Sequence, residues 1–179
     1  LVAGDAILAV GDSLTAGFGA PKGADYPAQL AQILGHKVIN GGGSGDTSAQ
    51  ALARLPDLLV QKPKLVVVSI GGNDFLQRQP ESGTRENIRK MVADIRATGV
   101  PAVLVAIPHF TTGVLLGMVS EHPLYAELAN ELDVPLLQGA WAEILGDKDL
   151  KSDAVHANAA GYRLFAEKLA GFLKKLGLV

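Results

Sequence analysis

The chain has 179 residues, 48% of them hydrophobic, with Lys+Arg 16 against Asp+Glu 18, a formal net charge of -2 and a pI ≈ 6.1. That length suits one domain over 1–179 with a full core, and the charge balance argues against nucleic acid or an anionic membrane as partner. The absence of cysteine excludes a disulfide, a thiolate nucleophile or a Cys-ligated metal, and no apolar run reaches the ~18 residues of a membrane span.

Ala6-Ile7-Leu8-Ala9-Val10, closed by Gly11-Asp12, is a continuous apolar run of the kind found in strands covered on both faces. In chain order there follow an amphipathic helix over 28–34, a strand at 37–39, a helix over 48–60, a strand at 65–70 and a helix over 84–98. A strand at 102–107, a helix over 124–132, a strand at 134–137 and a closing helix over 158–176 complete the series. Strands alternating with helices predict an α/β fold with a mostly parallel sheet. Gly35, Thr98-Gly99-Val100-Pro101 and Gly177 supply helix stops. The longest irregular stretch, 108–123, leaves the fourth strand at its carboxyl end, where α/β proteins bind ligands. No repeat, linker or low-complexity segment is present. No signal peptide occurs in these residues; a leader removed before Leu1 would mean a periplasmic or secreted protein, and otherwise a cytoplasmic one.

Gly11-Asp12-Ser13-Leu14-Thr15 places Ser13 in the turn after the first strand, with its hydroxyl facing the crevice. A lone serine is a poor nucleophile, so it needs a base from elsewhere in the chain. Taken alone, Asp12 and Ser13 fit helix capping equally well, and the Gly-x-Ser-x-Gly elbow is missing. Acyl transfer also needs N–H donors aimed at the developing oxyanion. Asn40 to Ser48, rich in glycine, follows the second strand and offers the Gly45 N–H; Gly71-Gly72-Asn73-Asp74 follows the third and offers the Asn73 carboxamide. The Ser13 N–H completes the set. The same glycines also serve as turns, and no Gly-x-x-x-x-Gly-Lys-Ser/Thr phosphate loop occurs.

Asp153 and His156, three residues apart before the closing helix, can pair carboxylate with imidazole. His156 would then act as general base toward Ser13 and Asp153 would fix its tautomer. A histidine's ordinary pKa near ~6.5 suits that work. An isolated Asp-x-x-His is also a common surface arrangement. His36 and His122 are expected to be solvated, and Trp141 to be a core or rim aromatic. No metal-like spacing of histidine and carboxylate occurs, and no metal or other cofactor is expected.

In these segments the chain resembles the SGNH, or GDSL, hydrolases, whose four blocks carry Ser, Gly, Asn and His; here they fall on Ser13, Gly45, Asn73 and His156. Ser44 to Ser48, Ala51 to Pro56 and Asp133 to Leu137 look like the bacterial thioesterase I/lysophospholipase and arylesterase branch. The resemblance implies a flavodoxin-like three-layer α/β/α sandwich, strand order 2-1-3-4-5, cofactor-free hydrolysis of carboxylic esters or thioesters, and frequent export to the periplasm. One departure is Ala157, where the family commonly has Pro.

The expected function is therefore a serine esterase or thioesterase acting on short to medium acyl chains through an acyl-enzyme on Ser13. Lysophospholipid or carbohydrate O-acetyl hydrolysis is the alternative within the chemistry. A non-catalytic ligand-binding member of the fold, or a flavin or nucleotide binder, is the alternative outside it. Asp12, Gly72, His109, Phe110, Val114 and Leu115 are expected near the substrate, with Leu116 and Met118 beside them; for the apolar residues of this loop, from Phe110 to Met118, folding inward as core is the alternative. The partner is a small acyl ester or thioester, and the chain is expected to act as a monomer without membrane insertion.

Overall fold

The computed structural model of the chain describes residues 1–179 apart from 116; the side chains of 112 and 115 also lie outside the described residues. The apolar runs pair as β1 (Ala6–Gly11), β2 (Lys37–Gly42), β3 (Leu65–Ser69), β4 (Ala102–Val105) and β5 (Leu136–Leu137). They form one sheet in the order β2-β1-β3-β4-β5, parallel at every pairing. Every residue of β3 and β4 is buried, as is β1 from Ile7 onward. Such strands need helices on both faces. Helices α2 (Tyr26–Leu34), α8 (Ala140–Leu145) and α9 (Ala159–Lys175) pack on one another, and α3 (Ser48–Leu59), α5 (Glu81–Ala97) and α7 (Leu124–Leu132) form a second packed group. The result is the expected three-layer sandwich.

Several expected boundaries shift: β2 runs on to Gly42, α5 begins at Glu81 and β4 ends at Val105, and three further differences have clear local reasons. Helix α2 starts two residues early because the Asp25 carboxylate accepts the Ala28 N–H at 3.0 Å and Pro27 sits in the first turn. Strand β5 shrinks to two residues: Asp133 adopts φ 53, and Pro135 contributes only its carbonyl, which accepts the Leu104 N–H at 2.9 Å. The stretch 108–123 is not wholly irregular, since it contains the single turn α6 (Thr112–Leu115) and a Pro108–Glu121 antiparallel bridge.

The order of the strands locates the crevice. The chain runs from β1 to β2 on one side, then returns to β3 on the other side of β1, so the segments leaving β1 and β3 diverge. The turns α1 (Ser13–Ala16) and α4 (Gly72–Leu76) begin there. Behind them Trp141 is fully buried, stacked on Phe165 at 3.8 Å between ring centroids, and donates its Nε1–H to Ser69 Oγ at 3.1 Å. It is a core residue.

Candidate active site

Ser13 is the first residue of α1. The preceding Asp12 caps that turn, its Oδ1 accepting the Leu14 N–H at 3.0 Å, and buried Thr15 is tied to the Tyr26 hydroxyl at 2.9 Å. The serine backbone is thus held from both sides. A short hairpin closed by the Lys151–Ala157 bridge and by Ser152 N–H to His156 O at 2.9 Å presents His156 opposite. Ser13 Oγ lies 2.8 Å from His156 Nε2, although the two residues are 143 apart in sequence. His156 Nδ1 lies 2.9 Å from both oxygens of Asp153. A proton on Nδ1 facing that carboxylate leaves Nε2 as the acceptor for the serine hydroxyl. The Phe18 ring covers the imidazole at 4.5 Å, and the Tyr162 hydroxyl of α9 anchors the Phe18 carbonyl at 2.6 Å.

Partial burial works to raise the Asp153 carboxyl. The Val155 N–H and the His156 ring outweigh it and hold the carboxyl below the ordinary aspartate value of 3.8. Asp153 is therefore an anion wherever a histidine base can work.

Gly45 and Asn73 reach the same place. Together with Ser13 and His156 they line a pocket of about 220 Å³. The N–H groups of Ser13 and Gly45 have no acceptor among the described residues. Gly45 has φ +82, a left-handed conformation that most side chains resist. Asn73 donates one Nδ2 hydrogen to the Asp46 carbonyl at 2.9 Å, which orients the carboxamide and leaves its second hydrogen for the pocket. Buried Asp74 fixes the turn that carries Asn73, accepting from Ser48 N at 2.7 Å, Ser48 Oγ at 2.5 Å and Thr84 Oγ1 at 2.7 Å.

The residues expected around a substrate divide into three sets. Asp12 and Phe110 line the serine pocket. Phe110 and Val114 line a second cavity of about 240 Å³, which shares Leu76, Phe110 and Val155 with the first. His109 lines a third cavity with Glu81 and His122, whose lining shares Phe75, Arg78, Phe110 and Thr111 with the second but no residue except Phe110 with the serine pocket. Gly72 does not face the pocket: it is buried behind Phe110, whose Cε2 would stand 2.6 Å from an added Cβ. Met118 is exposed to solvent. The Leu115 side chain and Leu116, expected here as well, lie outside what the structure describes. His122 is not solvated as expected; it is buried, stacked on Phe75 at 4.7 Å, with Nδ1 accepting the Leu124 N–H at 3.0 Å. His36 is half-buried rather than solvated, with Nδ1 lacking a partner among the described residues.

Sequence reasoning missed Phe18, Leu76 and Val155. Phe18 had a signal, an aromatic between Gly17 and Gly19 just after the serine turn; it is 55% exposed, too much for a core residue. Leu76 and Val155 had none, because their roles depend on which loops meet.

Burial pushes the Asp12 carboxyl up to about 7, against the pull of the Leu14 N–H and with the Asp46 and Asp74 charges adding to the rise. A carboxyl raised in the folded state costs stability once it must ionise, so stability falls as pH climbs from 3.8 toward 7. Asp12→Asn keeps the capping oxygen and removes the ionisation. It should stabilise the protein at pH 8 by a few kcal/mol, at ~1.4 kcal/mol per unit, with the gain gone below about pH 4. Paired denaturant melts at pH 4 and pH 8 check this, and an equal effect at both would exclude it.

A doubly wound sheet brings hydroxyl, imidazole and carboxylate into series where such sheets bind ligands, and the class of protein so defined is a serine hydrolase. Comparison with known proteins narrows the class. The GDSL-like Lipase/Acylhydrolase family matches residues 9–164, and the chain belongs to that family. It is 35% identical over 178 residues to Thioesterase 1/protease 1/lysophospholipase L1 of Escherichia coli (strain K12), covering 97% of this chain and 86% of that protein. It is 40% identical over 111 residues to an arylesterase of Vibrio mimicus, covering 59% of this chain and 56% of that one. The crystal structure of TesA superimposes with a TM-score of 0.84 at 29% identity, covering 96% of this chain and 99% of that one.

Proposed function

We propose that the chain hydrolyses carboxylic esters and thioesters of short to medium acyl chains through an acyl-enzyme on Ser13. The observation that carries this reading is the unbroken relay from Ser13 Oγ through His156 to Asp153, at 2.8 and 2.9 Å. Ser13 Oγ attacks the acyl carbon while His156 Nε2 takes its proton. The N–H groups of Ser13 and Gly45 and the Asn73 carboxamide receive the oxyanion, a role worth roughly 3 kcal/mol per donor. Collapse expels the alcohol or thiol, which takes the proton from His156. Water then attacks the acyl-enzyme by the same route in reverse and frees the acid.

The two cavities share the apolar residues Leu76, Phe110 and Val155, and this mostly apolar lining between Ser13 and Val114 suits an acyl chain of limited length. The names of the Escherichia coli and Vibrio mimicus relatives support thioester, lysophospholipid and aryl ester chemistry for this chain. All the groups invoked come from one chain, which supports residues 1–179 acting as one hydrolase domain and as a monomer. Among the described residues no helix is long and apolar enough to cross a membrane. The family resemblance supports work in the periplasm.

The test is a rate series on p-nitrophenyl acetate, butyrate, octanoate and palmitate, run beside an acyl-CoA and a lysophospholipid. The expected result is a maximum in the butyrate-to-octanoate range and a kcat/KM for palmitate at least roughly tenfold lower. Folded protein that turns over none of these would overturn the proposal.

A further inference from the structure

Arg54 lies on α3, outside the pocket, with its side chain 36% exposed. Its Nε donates to Asp46 Oδ2 at 2.7 Å, and its Nη2 donates to Gly41 O at 3.0 Å and Gly11 O at 3.3 Å. These acceptors belong to three separate segments: the end of β1, the end of β2 and the loop that carries Gly45. Each of the three leads to an oxyanion donor. Gly11 stands two residues before Ser13, and its carbonyl also accepts the Gly43 N–H at 3.0 Å. Asp46 directly follows Gly45, and its main-chain carbonyl holds Asn73 Nδ2 at 2.9 Å. An added Cβ at Gly43 would stand 2.4 Å from Asp46 Oδ2 and 2.8 Å from Arg54 Nη2, so the loop is wrapped closely on the pair.

We propose that Arg54 is a positioning residue: through Gly11 and Asp46 it sets the Ser13, Gly45 and Asn73 donors at fixed separations around the developing oxyanion. The inference rests on the donor assignment above. A run of Gly41, Gly42, Gly43 and Gly45 has wide backbone freedom and little side-chain anchorage of its own. A planar guanidinium can hold a carboxylate and two carbonyls at once, whereas an ammonium offers one compact point of charge. The pair is partly exposed, at 36% for Arg54 and 17% for Asp46, so solvent screens it and its contribution to global stability is modest. Misplacing catalytic groups by about an ångström can cost on the order of 100-fold in rate. The effect of removing Arg54 therefore belongs in kcat and not in the melting temperature.

The experiment compares Arg54→Met, Arg54→Lys, Asp46→Asn, the Arg54→Met/Asp46→Asn double variant and Asn73→Ala. Each is assayed on p-nitrophenyl acetate and for its rate of inactivation by diethyl p-nitrophenyl phosphate. That reagent phosphorylates Ser13 with loss of p-nitrophenolate and puts a phosphoryl oxygen where the oxyanion forms. Both Arg54 variants should lose roughly 10- to 100-fold in kcat, with KM within about twofold, the same factor in inactivation rate and Tm within a few degrees. The double variant should be no worse than Arg54→Met, since both changes release one clamp. If Asn73→Ala loses activity while the Arg54 variants keep kcat within about twofold, the positioning role is wrong and the donor assignment stands. If Asn73→Ala also keeps its rate, the donor assignment itself fails. A loss confined to KM, or one that follows the melting temperature, overturns the role for Arg54; should Arg54→Met not fold, Arg54→Lys decides between these outcomes.

Discussion

Ser13→Ala is expected to lower kcat toward p-nitrophenyl esters by about 10⁴- to 10⁶-fold, the range seen when a serine nucleophile is deleted from a preorganised site. The hydroxyl makes one side-chain hydrogen bond, to His156, so its removal takes away the attacking atom and little else. The Ser13 N–H, the Asp12 cap and the Thr15–Tyr26 bond all remain. KM and the melting temperature should therefore stay close to those of the parent, and a fluorophosphonate should no longer attach to the peptide that contains residue 13. Steady-state kinetics with mass spectrometry of the labelled digest checks both. A variant that keeps more than about 1% of the rate would mean the acyl group is never carried on Ser13.

His156→Ala is expected to be as damaging as loss of the serine, and Asp153→Asn less so, at roughly 10²- to 10⁴-fold. Among the described residues the imidazole is the side chain hydrogen-bonded to Ser13 Oγ, at 2.8 Å, and so the group placed to take its proton. Asp153 acts through it, and with its side chain 46% exposed, water can take over part of the orienting work. The Val155 N–H would still hold an asparagine oxygen at this position. Because the aspartate carboxyl lies below 3.8, its ionisation should add no acid limb to the rate profile above about pH 4. Added imidazole should restore part of the rate to His156→Ala and none to Ser13→Ala. Equal losses for Asp153→Asn and His156→Ala, or the reverse order, would contradict the assigned roles.

The strands and longer helices were legible because each carries a local signal several residues long. Runs such as Leu65 to Ser69 have no polar interruption, and helix stops such as Gly35 read directly. The short elements were not legible. Helices α1, α4, α6 and α8 span only four to six residues, too few for a 3.6-residue period to show. Their positions follow from where the chain leaves β1, β3, β4 and β5. Burial of His122 was likewise invisible, since it depends on Phe75 arriving from another loop to stack on it.

Residue types and their places at strand ends are local properties, and the sequence by itself determined the alternation of elements, the segments holding Ser13, Gly45, Asn73 and His156, and the class of chemistry they can perform. Only the tertiary structure decided that a hydroxyl and an imidazole 143 residues apart meet at 2.8 Å, that Gly72 supports Phe110 from behind, and that Arg54 spans three segments. Those contacts depend on strand order and on helices closing over both faces of the sheet. Arg54 moreover binds two main-chain carbonyls, a group every residue possesses, so no pattern of side chains can announce it.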